Sequence, residues 1–85
     1  MLRYRTKLMG KYRPGDYVKV EFHDDRSGQS EWMWMKVQRS DDADRLVFGS
    51  LDNEPVVITT LHLGSELAVS YDNIREHMQS ESFGQ

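Results

Sequence analysis

The chain has 85 residues, of which 38% are apolar and 29% charged, and this length fits one small domain with no large catalytic cleft. It contains no cysteine, which excludes disulfide scaffolds, thiolate metal sites and cysteine nucleophiles. No apolar run approaches the roughly 20 residues that span a bilayer, and the first ten residues lack the apolar stretch of a signal peptide, so we expect a cytoplasmic protein without membrane contact.

Positive charge is concentrated at the N-terminus. Five basic residues and no acidic ones precede Pro14, whereas the rest of the chain holds six basic and fourteen acidic residues. We interpret residues 1–15 as a basic arm, residues 16–79 as the folded domain and residues 80–85 as a disordered tail. Because an acidic domain repels polyanions, we expect the arm to solubilise the domain or to lie against it.

The first two predicted strands form a hairpin. Apolar and polar residues alternate at residues 17–22, and the polar residues 23–29 reverse the chain. The second strand, residues 31–39, carries tryptophans on one face and methionines on the other. This pattern predicts either a central strand covered on both sides or a strand whose outer face is partly covered by the arm or a terminal helix. We take Trp34 as the anchor of the core, because an indole side chain buries about 150–250 Å².

Turn signals separate three further predicted strands, at residues 45–51, 56–60 and 66–70. Gly49 in the third strand indicates a bulge or a close approach of two backbone segments. After residue 70 the period changes. Ile74 and Met78 are four residues apart, and with Asp72 as N-cap they predict a short helix that ends near residue 79.

These elements predict an all-β fold with a short C-terminal helix. Five short antiparallel strands favour a small, strongly bent sheet that closes into a barrel, because closure removes the exposed strand edges. We expect an SH3-like barrel, with an OB-like barrel as the alternative.

Three segments, residues 31–37, 49–55 and 63–69, followed by Ile74, form an ordered series. They carry an E-x-M-W-x-x-V strand, a G-x-L-x-N-x-P turn and a glycine-led strand. The series resembles the YegJ-like family of bacterial domains of unknown function, from residue 16 to about residue 77. Related sequences are grouped with immunity proteins of bacterial toxin systems, so the resemblance implies a binding role. No catalytic residues are established for the family, so none can be assigned to this chain by resemblance. The ending Arg75-Glu76-His77 departs from the family's acidic-tryptophan ending.

One face of the tryptophan strand is the candidate site for a protein partner, since an apolar patch left outside the core is where partners dock. Trp32 is its predicted centre, because tryptophan is a favoured hot-spot residue. Asn53 either specifies its turn through its own side chain or presents an amide to a ligand. The proposed rim consists of Glu21, Glu31, Lys36 and Arg39. In an immunity-like role, the acidic domain would cover a cationic toxin surface.

Two other functions remain open. Single-stranded nucleic acid would use the basic arm and the aromatic residues Tyr17, Trp32 and Phe48, with Lys19, Lys36 and Arg39 around them. The acidic balance of the domain opposes this function, because nucleic-acid binding requires a cationic track.

A small-ligand or enzymatic role is the remaining alternative. His23, Asp25 and His62 would form a metal site only if two loops converged, and Glu21 and Glu31 on an open sheet face would both stay ionised. We therefore predict no enzyme activity, no metal and no cofactor, and a monomer or weak dimer.

Overall fold

The computed structural model of the protein describes residues 10–58 and 60–79. One sheet contains five antiparallel strands in the order β4-β3-β2-β1-β5. The strands are β1 (Tyr17–Asp24), β2 (Gln29–Asp41), β3 (Leu46–Leu51), β4 (Glu66–Ser70) and β5 (Ile74–Met78). The predicted all-β class is therefore present, and β2 has the predicted central position. Residues 1–9 of the proposed arm and the proposed tail at 80–85 lie outside the described residues.

The sheet is strongly bent. β4 and β5 form its opposite edges, yet only the 3-10 turn Tyr71–Asn73 separates them along the chain. A flat five-stranded sheet would hold its edges about 19 Å apart, whereas Ser70 and Ile74 are four Cα steps apart and span at most about 15 Å. The two edges must therefore approach each other at this turn. They are not hydrogen-bonded to each other, so the sheet is open.

The core lies on the inner face of this bent sheet. Val18 pairs with Met35 and Val20 pairs with Met33 across the β1–β2 hairpin, and all four side chains are buried. The prediction that Trp34 anchors the core was wrong. Residues i and i+2 of a strand share a face, so the buried methionines direct both tryptophans to the opposite side.

Segments outside the sheet complete the core. Tyr12 is buried, and its ring packs edge-on against Tyr71 and His77 at centroid distances of 4.9 and 4.8 Å. Its backbone N–H donates to Ser40 Oγ, and the same hydroxyl donates to the Tyr12 carbonyl. The part of the proposed basic arm that the structure describes is thus packed against the domain.

Gly49 shows the close approach that the sequence indicates. A Cβ atom at this position would lie 2.0 Å from the Lys36 carbonyl oxygen. The β2–β3 register shifts between Val37 and Arg39, so a bulge lies beside the glycine. Glycine is required here because a side chain would collide with backbone.

The predicted strand at residues 56–60 was wrong. Val56, Val57 and Ile58 belong to a loop, and their N–H groups donate to the carboxylate of Glu31 at 2.8–3.2 Å. The Glu31 carboxylate on β2 therefore accepts the backbone hydrogen bonds that a neighbouring strand would otherwise accept. Ile58 becomes buried against Met33 and Leu51.

The predicted C-terminal helix was also wrong. Only the single 3-10 turn forms, with Ser70 rather than Asp72 as its N-cap, and the chain then becomes extended as β5. A spacing of four residues fits a helix and also a strand, in which i and i+4 share a face. Residues 74–78 form a strand because they pair with β1 and so cover an edge of β1 that a helical turn would leave open. No helix of the described residues has the length and hydropathy needed to cross a bilayer.

Candidate functional site

The outer face of the sheet, opposite the core, carries an aromatic and charged surface. Trp32 lies opposite Glu21 and Trp34 opposite Lys19 in the β1–β2 register. Lys36 lies opposite Tyr17, and Arg39 lies opposite Phe48 on β3. We define the outer face as Tyr17, Lys19, Glu21, Trp32, Trp34, Lys36, Arg39, Phe48 and Met78.

The two indoles share one cation. Lys19 Nζ lies 5.5 Å from the ring centroid of Trp34 and 6.0 Å from that of Trp32, and 3.9 Å from a Glu76 carboxylate oxygen. Cation–π attraction at a partly exposed site is worth about 0.5–1 kcal/mol. Lys19 therefore holds the aromatic pair in place while Trp32 remains 52% exposed.

The rim of this face is ordered by charge pairs. Arg75 Nε donates a hydrogen bond to Glu21 Oε1 at 3.0 Å. Arg75 Nη2 lies 2.9 Å from the same oxygen. The hydrogen bond from Arg75 holds the pKa of Glu21 below its ordinary value, and bonds from Ser30 and Trp32 act in the same direction. Glu21 is therefore ionised at neutral pH and stays fixed beside Trp32.

Arg39 and Phe48 form a second contact between a cation and an aromatic ring. The guanidinium carbon of Arg39 lies 4.0 Å from the Phe48 ring centroid, so the planar group covers the ring. Arginine stacks in this way because its charge is delocalised and weakly hydrated. Phe48 is thereby shielded on the outer face, whereas Trp32 keeps about half of its surface exposed.

A shallow hollow of about 250 Å³ lies at one end of the outer face. Tyr17, Trp34, Asp52 and Met78 line it, and Met78 is 54% exposed. Apolar surface dominates these walls. An apolar or aromatic side chain fits this hollow better than a charged small molecule does, because Asp52 is the single charged residue among the described residues that line it.

Two of the predicted site residues serve the fold. Glu31 holds the loop at residues 56–58, and those backbone N–H groups, led by that of Val56, keep its pKa below the ordinary value of 4.5. The side-chain oxygen of Asn53 accepts a hydrogen bond from the Trp34 N–H, so Asn53 extends the β2–β3 ladder beyond the end of β3. The remaining predicted residues, Trp32, Glu21, Lys36 and Arg39, lie on the outer face.

Sequence reasoning missed Trp34 and Met78 as surface residues. The strand alternation contains the missing signal for Trp34, because an exposed Trp32 places the residue two positions later on the same face. Met78 had no such signal, since it was assigned to a helix.

The residues of the metal hypothesis are not brought together as a group of three. His23 Nε2 lies 3.8 Å from Asp25 Oδ1, and no cluster of three potential ligands occurs within the described ranges.

The family match covers residues 7–83, nearly the whole chain. The chain belongs to the family described as "Uncharacterized protein conserved in bacteria (DUF2314)". Membership of this family confirms the prediction of a bacterial domain of unknown function, but it does not support the assignment to the YegJ-like family. No curated protein and no solved structure is significantly similar to the chain.

Proposed function

We propose that this DUF2314 domain is a non-enzymatic binding module whose outer face recognises a partner protein around Trp32. The observation that carries the proposal is an indole 52% exposed beside a second indole, on a sheet face whose opposite side builds the core. A tryptophan at the centre of an apolar patch rimmed by arginine and glutamate has the composition of an interface hot spot.

The charges of the outer face favour a protein over a simple charged ligand. Glu21 is paired with Arg75, and Lys19 with Glu76, so positive and negative groups alternate around the indoles. Such mixed charge sets the register and orientation of a protein partner more than it adds affinity. The hollow beside Trp34 adds a place for one apolar side chain of that partner.

For the fold, we propose an SH3-like barrel, with an OB-like barrel as the alternative. The strand order β4-β3-β2-β1-β5 and the 3-10 turn between β4 and β5 support this assignment. A bent sheet of this kind is a common platform for recognition. We further propose that the protein acts in the cytoplasm as a monomer or weak dimer, consistent with its lack of cysteine.

For the partner, we propose a protein with a cationic surface. The chain after Pro14 holds six basic and fourteen acidic residues, so the domain as a whole attracts positive charge, while the outer face itself carries Lys19, Lys36 and Arg39 beside Glu21. The resemblance to YegJ-like and immunity-related sequences supports the same idea, in which the domain covers a cationic toxin surface.

The test compares Trp32→Ala with a matched control, Leu63→Ala. Leu63 is 60% exposed but lies in the loop before β4 and is not one of the residues of the outer face. The wild type and both variants are immobilised, and proteins from a bacterial lysate that the wild type retains are identified. The purified partner is then titrated into each of the three proteins by calorimetry. We expect Trp32→Ala to weaken binding at least tenfold and Leu63→Ala to leave it unchanged. Equal affinity of all three proteins would refute the proposal.

Single-stranded nucleic acid is the second candidate. The outer face brings Tyr17, Trp32 and Phe48 together with Lys19, Lys36 and Arg39, and bases stack on such aromatic platforms. An oligothymidine titration monitored by tryptophan fluorescence at low salt tests it. Quenching that disappears as salt rises would favour this function, and an unchanged signal at low salt would exclude it.

A further inference from the structure

Two strand edges face each other where the sheet fails to close. Among the described residues, β4 pairs with β3 on one side only. Within the same ranges, β1 pairs with β5 only as far as Val20, so its last residues, from Glu21 to Asp24, have β2 as their single neighbouring strand. An edge strand directs alternate N–H and C=O groups away from its partner, and these groups are available to another strand.

A groove of about 380 Å³ lies between these two edges, and we define it as the β1–β4 groove. Phe22 on β1, Leu67 on β4 and Leu61 in the preceding loop line it. All three are half-buried: they pack against the core but are not covered by it. The groove therefore combines an apolar base with backbone hydrogen-bonding groups on both of its sides.

The two outermost strands differ in how their free edges are protected. β5 contains Arg75, Glu76 and His77, and its pairing with β1 is interrupted by a register shift. Charged residues and bulges of this kind discourage pairing with another strand. β4 has the sequence Glu-Leu-Ala-Val-Ser, without lysine, proline or bulge. Of the two edges, β4 is the one built to accept a strand.

The acidic residues around the groove favour an added strand that carries basic side chains. Glu21 lines the groove, Asp24 and Asp25 follow it at the end of β1, and Glu66 begins β4. β1 and β4 run in opposite directions in the sheet, so the end of one and the beginning of the other lie at the same end of the groove. Arg75 is paired with Glu21, and Arg26 is the cation that acts on Asp24, so the end of the groove with Asp24, Asp25 and Glu66 keeps a net negative charge. A basic segment is therefore favoured.

We propose that the β1–β4 groove binds an extended segment of a partner protein in which apolar and basic residues alternate. The segment adds to the edge of β4 as a sixth strand, with its apolar side chains against Phe22, Leu61 and Leu67 and its basic side chains toward the acidic end. Backbone hydrogen bonds supply affinity in such strand addition, and alternate side chains supply specificity. β4 has five residues, so a segment of about the same length fits. This site shares Glu21 with the outer face but does not include Trp32 or Trp34.

The probe is the synthetic peptide acetyl-Thr-Lys-Val-Arg-Val-Lys-Thr-amide, titrated into the full chain labelled with ¹⁵N. We expect chemical shift changes centred on Leu67, Ala68 and Val69, slower amide hydrogen exchange in β4, and little change at Trp32. Two control peptides separate the contributions: one has glutamate in place of each basic residue, and one has N-methylated valines. Both should bind at least tenfold more weakly.

A pair of variants tests the position of the site. Ala68 is exposed and lines the groove, whereas Ala43 is exposed in the loop between β2 and β3. Ala68→Lys should weaken peptide binding about tenfold by repelling the basic residues, and Ala43→Lys should not.

Three results would overturn the proposal. The first is no shift in β4, and the second is equal binding of the N-methylated peptide. The third is broadening of the same β4 amides with protein concentration alone, which would assign the edge to a second copy of the chain. Shifts confined to the residues around Trp32 would instead move the peptide to the outer face and leave the proposed function intact.

Discussion

The two faces of β2 differ in what they contribute. Met33 and Met35 are almost fully buried and pair with valines of β1, whereas Trp32 and Trp34 stand on the outer face around Lys19. Flexible methionine side chains fill the inside of a small bent sheet, where space is irregular and limited. The largest apolar residue of a strand therefore need not lie in the core, and an indole on the outer face is accessible to a partner.

The largest expected effect comes from the inner face. Met35→Ala removes a fully buried side chain and should lower the free energy of unfolding by roughly 2–5 kcal/mol. Urea unfolding of the variant measures this loss. Trp34→Ala is the control on the other face of the same strand, and its loss should be clearly smaller because Trp34 is only half-buried. A larger loss for Trp34→Ala would reverse the assignment of the faces.

The next effect concerns the loop that the inner face depends on. Glu31→Gln replaces a carboxylate, whose two oxygens accept three backbone hydrogen bonds, with an amide that has a single acceptor oxygen, so at least one of the three bonds is lost. We expect a loss of about 1 kcal/mol, since the site is partly exposed. Glu76→Gln, which removes a weak surface ion pair with Lys19, should cost less in the same urea titration. Equal losses would mean that the Glu31 contacts add nothing to stability.

Acid should weaken the same contacts. The backbone N–H groups at Val56–Ile58 lower the pKa of Glu31 in the folded state, and the hydroxyl of Tyr71, which donates to Asp42, lowers the pKa of Asp42. When folding lowers the pKa of a carboxylate, that group stabilises the folded state at any pH above its pKa in the unfolded chain. The stabilisation is lost as the pH falls through the lower pKa of the folded state. The melting temperature should therefore drop below about pH 4.5. The Glu31→Gln variant should show a smaller drop, and an identical drop would argue against linkage through Glu31.

The smallest expected effect comes from the outer face. Trp32→Ala should change the free energy of unfolding by only about 0.5 kcal/mol, because the side chain is half-exposed and bounded by charged residues. Thermal unfolding of the variant and the wild type measures it. A loss comparable to that of Met35→Ala would place Trp32 among the residues that build the fold.

The strands that alternate in sequence could be predicted, and β4 has the predicted bounds of residues 66–70. The choice between the two apolar faces of β2 could not. Alternation alone identifies two faces, and the pairing of Val18 and Val20 with the methionines decides which one faces the core.

Contacts distant in sequence account for the other errors. Glu31 holds the loop at residues 56–58 across 25 or more positions, and β5 forms because β1 offers an edge about sixty residues earlier. The local sequence pattern predicts neither the Glu31 contacts with the loop nor the pairing of β5 with β1. Within the candidate site, Trp32, Lys36 and Arg39 could be predicted as surface residues, whereas the structural roles of Glu31 and Asn53 required the coordinates.

Solvent access to the two indoles most directly tests whether the inner face forms the core and the outer face is exposed. Trp32→Phe and Trp34→Phe each leave one tryptophan, whose fluorescence is quenched with acrylamide in the folded full-length protein. We expect Trp32, which is 52% exposed, to be quenched clearly more efficiently than the half-buried Trp34, and both to be quenched less than free tryptophan. Two indoles that resist quenching and emit at short wavelength would show that both are buried, and would contradict the division between a core-forming inner face and a binding outer face.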